Sequence, residues 1–223
     1  MTEEYKNKVR KRFDELASNY SGSAVGFIRD KRLDNIKKYI KKDDKILEIG
    51  CGSGNLLRFI DCKNIFGLDI SENMIKETKK AVQNGNFIVG DAENLPYENN
   101  FFDKVIISEV LYYLPELEKA IKETYRVLKK DGFLLITTLN KKYNFVKNLV
   151  NFFKIGVYDN VSMSYISFKM LKNIIEKDFK IEEISSVPIK FIPAKYSLIF
   201  FIAARKPFEK SLSAKKQKNN LRT

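Results

Sequence analysis

Lys45-Ile46-Leu47-Glu48-Ile49-Gly50-Cys51-Gly52-Ser53-Gly54-Asn55-Leu56-Leu57 decides how this chain is read. A run of branched apolar residues breaks into three alternate glycines and resumes as an apolar helical pattern. That order predicts a buried strand, a tight turn and a helix over about 54–60, the opening βα unit of a nucleotide-binding α/β fold. Glycine accepts positive φ and has no Cβ, so a flat ligand can lie directly on the backbone there. A helix starting behind the turn would aim unpaired N–H groups at that ligand.

Working outward, the pattern upstream predicts two helices. One covers 3–19 with Val9, Phe13 and Leu16 inward, and after the break at Tyr20-Ser21-Gly22-Ser23 a second covers about 24–41. Downstream, strands are expected at 65–69, 86–89, 104–108 and 133–138. These runs are nearly continuously apolar, as parallel strands covered on both faces are. Helices fall between them, one capped by Ser71 and one opened by Pro115. Beyond Leu139 the alternation lapses. A helix is expected over 141–154, Phe-rich on one face and basic on the other, then another from Ser167, with strands near 180–184 and 197–204.

The 223 residues suit one α/β domain. We expect a domain over 1–205, made of cap helices (1–41), a ligand-binding core (42–140), a substrate lid (141–166) and C-terminal strands (167–205). Residues 206–223 read as a disordered basic tail. No apolar run reaches the ~20 residues of a membrane span, and the first residues lack a signal or transit pattern, so a cytoplasmic protein is expected. Two cysteines suggest neither a disulfide framework nor a zinc site, and no metal is expected. With no histidine present, acid–base work falls to Asp, Glu, Tyr, Lys or water. The net charge of +13 is concentrated in part at 205–223, where seven Lys and Arg face Glu209 alone. The remaining basic residues are spread along most segments and read as solvated helix faces. Nucleic acid is therefore disfavoured as a partner, and weak contact with an anionic membrane is the minority reading.

The candidate ligand-binding residues are acidic. Asp69 ends the second strand, nineteen residues after Gly50, where it can accept hydrogen bonds from both hydroxyls of a ribose. A dinucleotide fingerprint would want a third glycine at 55, and this chain has Asn55, which argues against NAD. A second acid, Asp91, ends the third strand with Ala92 beside it, where an adenine amino group can be read.

Several stretches taken together carry a resemblance. They are Ile46-Leu47-Glu48-Ile49-Gly50-Cys51-Gly52-Ser53-Gly54, Gly67-Leu68-Asp69-Ile70-Ser71 with Met74, Gly90-Asp91-Ala92-Glu93-Asn94-Leu95-Pro96-Tyr97, Phe102-Asp103-Lys104-Val105, Ser108-Glu109-Val110-Leu111, and Arg126-Val127-Leu128-Lys129-Lys130-Asp131-Gly132. With Phe13-Asp14-Glu15-Leu16-Ala17-Ser18-Asn19-Tyr20 they resemble, over about 10–140, the class I S-adenosylmethionine-dependent methyltransferases, in the small-molecule group known as the type 11 methyltransferase domain. The resemblance implies a Rossmann-like, mostly parallel seven-stranded sheet in the order 3-2-1-4-5-7-6, with strand 7 antiparallel and helices on both faces. It also implies S-adenosyl-L-methionine as donor and S-adenosyl-L-homocysteine as product.

The same resemblance implies individual roles. Glu48 and the backbone of Gly50, Cys51, Gly52 and Gly54 would hold the methionine portion, and Asp69 the ribose. Ile70 and Met74 would flank the adenine, and Asp91 with Ala92 would bind its edge. Ser108 would close the site through its backbone, and Tyr20 would cover the methionine end. Glu109, Tyr112 and Tyr113 stand where relatives often have histidine and are the polar candidates near the methyl group, with the tyrosines read first as aromatic wall. The expected acceptor is a small molecule, with a hydrophobic, quinone- or lipid-like one favoured by the aromatics of 143–168. Methylation of RNA or protein by the basic surface, and a non-catalytic binder of S-adenosylmethionine, are the alternatives. Either a monomer or a homodimer is expected.

Overall fold

The computed structural model describes residues 2–20, 26–140, 166–187, 193–197 and 199–208. The expected helix over 141–154, nearly all of the lid and most of the basic tail lie outside the described residues.

The apolar runs form the sheet. β1 (Lys45–Ile49), β2 (Asn64–Asp69), β3 (Asn86–Val89), β4 (Phe102–Ser108) and β5 (Leu128–Leu139) are mutually parallel. β6 (Lys180–Val187) and β7 (Ile199–Arg205) complete it, with β7 antiparallel to both β5 and β6. The strand order is β3-β2-β1-β4-β5-β7-β6, as the resemblance implied. Successive side chains point to opposite faces, so each strand feeds two cores. Leu47, Ile49, Val105, Ile107, Leu134 and Ile136 pack with α4 (Leu117–Val127) and α5 (Phe168–Ile175). Ile46, Ile106, Leu135 and Phe201 pack on the other side with α2 (Gly26–Lys37), and with Ile75 of α3 (Glu72–Ala81).

The helix expected over 54–60 is not formed. Gly50, Gly52 and Gly54 all have positive φ, at 70°, 54° and 75°, so the turn is still winding left-handed where a helix would begin. In its place stands one 3-10 turn, Leu57–Phe59, and the chain is already extended at Ile60. The short stretch left before Asn64 cannot hold a longer helix. The N–H groups of a helix N-terminus are therefore not available behind the turn.

The cap helix α1 (Thr2–Leu16) is tied to the start of α3. Ser71 caps α3 by accepting from the Met74 N–H at 3.0 Å, and its own hydroxyl donates to Asp14 at 2.6 Å. The Asn73 N–H also donates to Asp14 at 3.1 Å, so a carboxylate of α1 sits at the positive end of α3. The loop after β3 is fixed by Arg126, which donates to the carbonyls of Tyr97 and Leu95 at 2.6 and 2.8 Å and forks onto Glu123. Among the described residues no helix is long and apolar enough to cross a membrane.

Lys206 heads the basic tail in composition, yet it is packed into the fold. It is only 6% exposed, and its ammonium donates to the carbonyls of Tyr125 and Leu128, both at 2.7 Å, and to Asn100 at 2.9 Å. Replacing it by methionine removes the donor from the buried Leu128 carbonyl and the half-buried Tyr125 carbonyl. We expect Lys206→Met to lower stability by about 3 kcal/mol, seen as a lower denaturant midpoint at unchanged slope. An unchanged midpoint would contradict this role.

Candidate functional site

A cavity of about 300 Å³ opens at the carboxyl ends of β1 to β4. The strand order reverses between β1 and β4, the place where open α/β sheets bind ligands. Each of these strands brings one acid to it. In sheet order they are Asp91 just beyond β3, Asp69 at the end of β2, Glu48 inside β1 and Glu109 just beyond β4.

The glycine turn shapes the floor. A Cβ on Gly50 would lie 2.2 Å from a Val110 methyl, so only glycine lets the loop after β4 rest on the turn. Asp69 is fixed by two backbone donors, the Gly52 N–H at 2.8 Å and the Ser71 N–H at 2.9 Å. Burial nevertheless pushes its pKa up to about 6. Each carboxylate oxygen keeps a lone pair for a further donor. Glu48 is 3% exposed, and its Oε2 is buried with no hydrogen-bond partner among the described residues. Burial drives its pKa well above the usual carboxylate range, opposed by the charge of Arg32.

The countercharges come from the cap helices. Lys6 of α1 donates to Asp91 Oδ2 at 2.7 Å and pairs with Glu93. The Glu93 side chain is fully buried, and its Oε1 accepts from the Glu116 N–H at 2.8 Å. Burial by itself would lower the Lys6 pKa, but the hydrogen bonds to Asp91 and Glu93 carry it upward. At the other end of the row, Arg32 of α2 lies 3.6 Å from Glu109 Oε1. Glu109 adopts φ 60° and donates its N–H to the Thr137 carbonyl at 2.9 Å, while Tyr112 donates to Glu109 Oε2 at 3.4 Å. Burial raises the Glu109 pKa, against Arg32 and Tyr112. The Tyr112 phenol is driven well up by burial and by Glu109, so at neutral pH it is a donor and not a base.

Most of the residues singled out from the sequence meet here. Tyr20, Gly50, Cys51, Ile70, Ala92 and Ser108 line the cavity with the four acids, Tyr112 and Tyr113. Phe13 stands edge-on to both Tyr20 and Tyr113, at centroid distances of 6.3 and 5.1 Å, completing an aromatic wall. The Ser108 hydroxyl is turned to Thr137 at 2.9 Å, which leaves its backbone for the site.

Gly52, Gly54 and Met74 are not among the residues that line the cavity. A Cβ on Gly54 would meet Val82 and Thr78 of the α3 region at 3.1 and 3.4 Å, so this glycine serves packing. Met74 is wholly buried in the first turn of α3. Gly52 contributes indirectly, by orienting Asp69. Lys6 and Arg32 were not foreseen. Each sits on a charged helix and looks like any solvated cation in sequence, because its partner is far away along the chain.

Comparison with known proteins bears on this geometry. A family model described as a methyltransferase domain matches residues 47–136, the span from β1 into β5. A ubiquinone/menaquinone biosynthesis C-methyltransferase, UbiE, of Campylobacter jejuni serotype O:6 is 31% identical over 160 residues, covering 65% of this chain and 68% of that one. An uncharacterized protein of Methanocaldococcus jannaschii is 37% identical over 137 residues, covering 61% of this chain; the match spans about half, 51%, of that relative. Among solved structures, a chain from the Haloferax volcanii complex of the Trm112 methyltransferase activator with a methyltransferase superposes with a TM-score of 0.69 at 19% identity. That superposition covers 90% of this chain and 98% of that one, a likeness of fold.

The Lys6–Glu93 pair gives a test of how the cavity is held together. Lys6→Met strands a buried carboxylate and is expected to cost about 3–5 kcal/mol. The double variant Lys6→Met, Glu93→Gln should recover part of that loss in thermal or denaturant unfolding. Additive effects of the two substitutions would show that the pair is not coupled.

Proposed function

Because this chain belongs to the class I S-adenosylmethionine-dependent methyltransferases, we propose that its cavity binds S-adenosyl-L-methionine and presents the methyl group to a small, flat, apolar acceptor of quinone-like character. The observation that carries this reading is the row of Asp91, Asp69, Glu48 and Glu109 around one cavity, over a turn with three left-handed glycines.

The residues present fit this donor. Asp69 offers two oriented oxygens to the ribose hydroxyls. Asp91 and the backbone at Ala92 would take the edge of the base, and Ile70, which also lines the cavity, would supply apolar contact to it. The orphaned Oε2 of Glu48 suits the ammonium of an amino acid, and that positive charge would restore the ionised form which burial opposes.

When bound, the donor supplies a methyl group already activated on a positively charged sulfur. The protein's work is then alignment and exclusion of water. Phe13, Tyr20, Tyr112 and Tyr113 form a largely apolar wall against which a ring can stack. Glu109 Oε1 takes the proton of an acidic acceptor hydroxyl or carbon, with Arg32 favouring the ionised carboxylate. The name carried by the Campylobacter relative supports a quinone-like acceptor, and so does the aromatic wall.

Calorimetry tests the donor. S-adenosyl-L-homocysteine should bind and NAD should not, and Asp69→Ala should weaken the first by about 10–100-fold, the loss of charge-assisted hydrogen bonds. The pH dependence has a defined sign. Ribose hydroxyls donate to ionised Asp69, so affinity should be full above about pH 6 and fall as the carboxyl takes up its proton below that. Affinity that is level from pH 5 to 8 would remove Asp69 from the assigned role.

A further inference from the structure

On the side of β5 the cavity runs out onto a surface unlike the rest of the chain. Leu139 and Ile199 line the cavity and are paired across β5 and β7. Because β7 is antiparallel to β5, the 3-10 turn before it, Ala194–Tyr196, stands at the cavity's end of the sheet. Asn140, 3% exposed, fixes that turn. Its side-chain amide donates to the carbonyls of Lys195 and Ser197, both at 3.2 Å. The start of α5 is fixed beside it, with Phe168 edge-on to Phe200 of β7 at a centroid distance of 5.3 Å. α5 and the Ala194–Tyr196 turn are in contact.

This rim is firmly held, yet it presents apolar and cationic side chains to solvent. Met170 is 52% exposed and Tyr196 47% exposed. Lys169 and Lys195 are exposed with them, and the Lys195 ammonium lies 4.9 Å from the centre of the Tyr196 ring. Leu171, Ile174 and Ile175 are the buried positions of α5, so Met170 is on its outer side. Acids are almost missing from the sequence that forms and flanks the rim. Residues 140–175 and 184–204 together hold eight lysines and one acid, Asp159, whereas the whole chain has 28 acids to 41 Lys and Arg. Such a surface is complementary to a negatively charged one. The side-chain types choose among anionic partners. The same stretches contain no arginine, the residue that best grips nucleic-acid phosphates and bases. An exposed methionine suits acyl chains, while tyrosine and lysine suit a boundary, apolar along the body and polar at the tip.

We propose that the rim made by the first turn of α5 and the Ala194–Tyr196 turn docks on an anionic lipid bilayer. Lys169 and Lys195 meet the headgroups, and Met170 and Tyr196 enter the boundary beneath them. Docking brings the cavity edge at Leu139 and Ile199 against the lipid. A flat apolar acceptor is concentrated in the bilayer, so it reaches the cavity from there without crossing water. The docking stands on the rim alone, and its link to the acceptor rests on the proposed function above.

The full chain is co-sedimented with vesicles of phosphatidylcholine alone and of phosphatidylcholine mixed with phosphatidylglycerol, and titrated in parallel with a single-stranded RNA. It should bind the anionic vesicles, less so as salt is raised. The double variant Lys169→Glu, Lys195→Glu should partition about 10–100-fold more weakly. Met170→Ser with Tyr196→Ser should lose about tenfold, and that loss should persist at high salt. A control pair on α3, Lys76→Glu with Lys80→Glu, makes the same change in net charge away from the rim and should lose less than about threefold. Unfolding midpoints and affinity for S-adenosyl-L-homocysteine should stay level in every variant, since none of these side chains lines the cavity. No binding to anionic vesicles, equal loss from the control pair, or RNA bound in place of vesicles overturns the docking surface. Vesicle binding by a chain that takes up no S-adenosyl-L-homocysteine keeps the docking surface and fails the donor reading instead.

Discussion

Four carboxylates drawn into one cavity at the ends of adjacent parallel strands set the terms for the rest of the molecule. Burial works against the charge of Glu48, Asp69 and Glu109, and like charges crowd one another. The fold answers in two ways. In the middle of the row, Asp69 is held by the N–H groups of the glycine turn and of the α3 cap. At the two ends, Asp91 and Glu109 face Lys6 and Arg32. Backbone N–H groups serve Asp69 in the middle of the row, and cations of the cap helices serve its two ends.

This division alters the standing of the cap helices. They supply the positive charges of a site whose negative charges belong to the sheet, and so they complete it electrostatically as well as covering it. Asp14 at the N-terminus of α3 fastens α1 in the same region. The loop after β4 is tied in as well, since Val110 rests in the space that a side chain on Gly50 would occupy. The turn beneath the cavity and the loop carrying Glu109 and Tyr112 are therefore in direct contact, and a shift in either is felt by the other.

Much of this was legible in the sequence, and the limits have physical causes. The strands and the acids Asp69 and Asp91 could be read because each rests on a local pattern, an apolar run ending in an acid, whereas the sheet order came only with the family resemblance. The short helix expected at 54–60 failed because apolar spacing does not report backbone handedness, and Gly54 is still left-handed. Met74 is buried in the first turn of α3 and Gly54 packs against Val82 and Thr78, a role that a motif alone does not separate from contact with a ligand. Lys6 and Arg32 could not be found from local pattern. Lys6 and Asp91 lie 85 positions apart, and nothing near Lys6 distinguishes it from its solvated neighbours on α1.

That separation has a consequence for how the protein comes into being. On the ribosome α1 is made well before Asp91 and Glu93, and its apolar and cationic face waits for a partner surface that needs β1, β2 and β3 to be in register. Contacts of such long range carry a loop-closure cost that must be met before they stabilise the fold. Until then Glu93 has no Lys6 beside it and the cavity has no cover from α1. Closing this end of the cavity thus depends on α1 meeting residues 85 positions away, on a surface that exists only when the strands beneath it are paired.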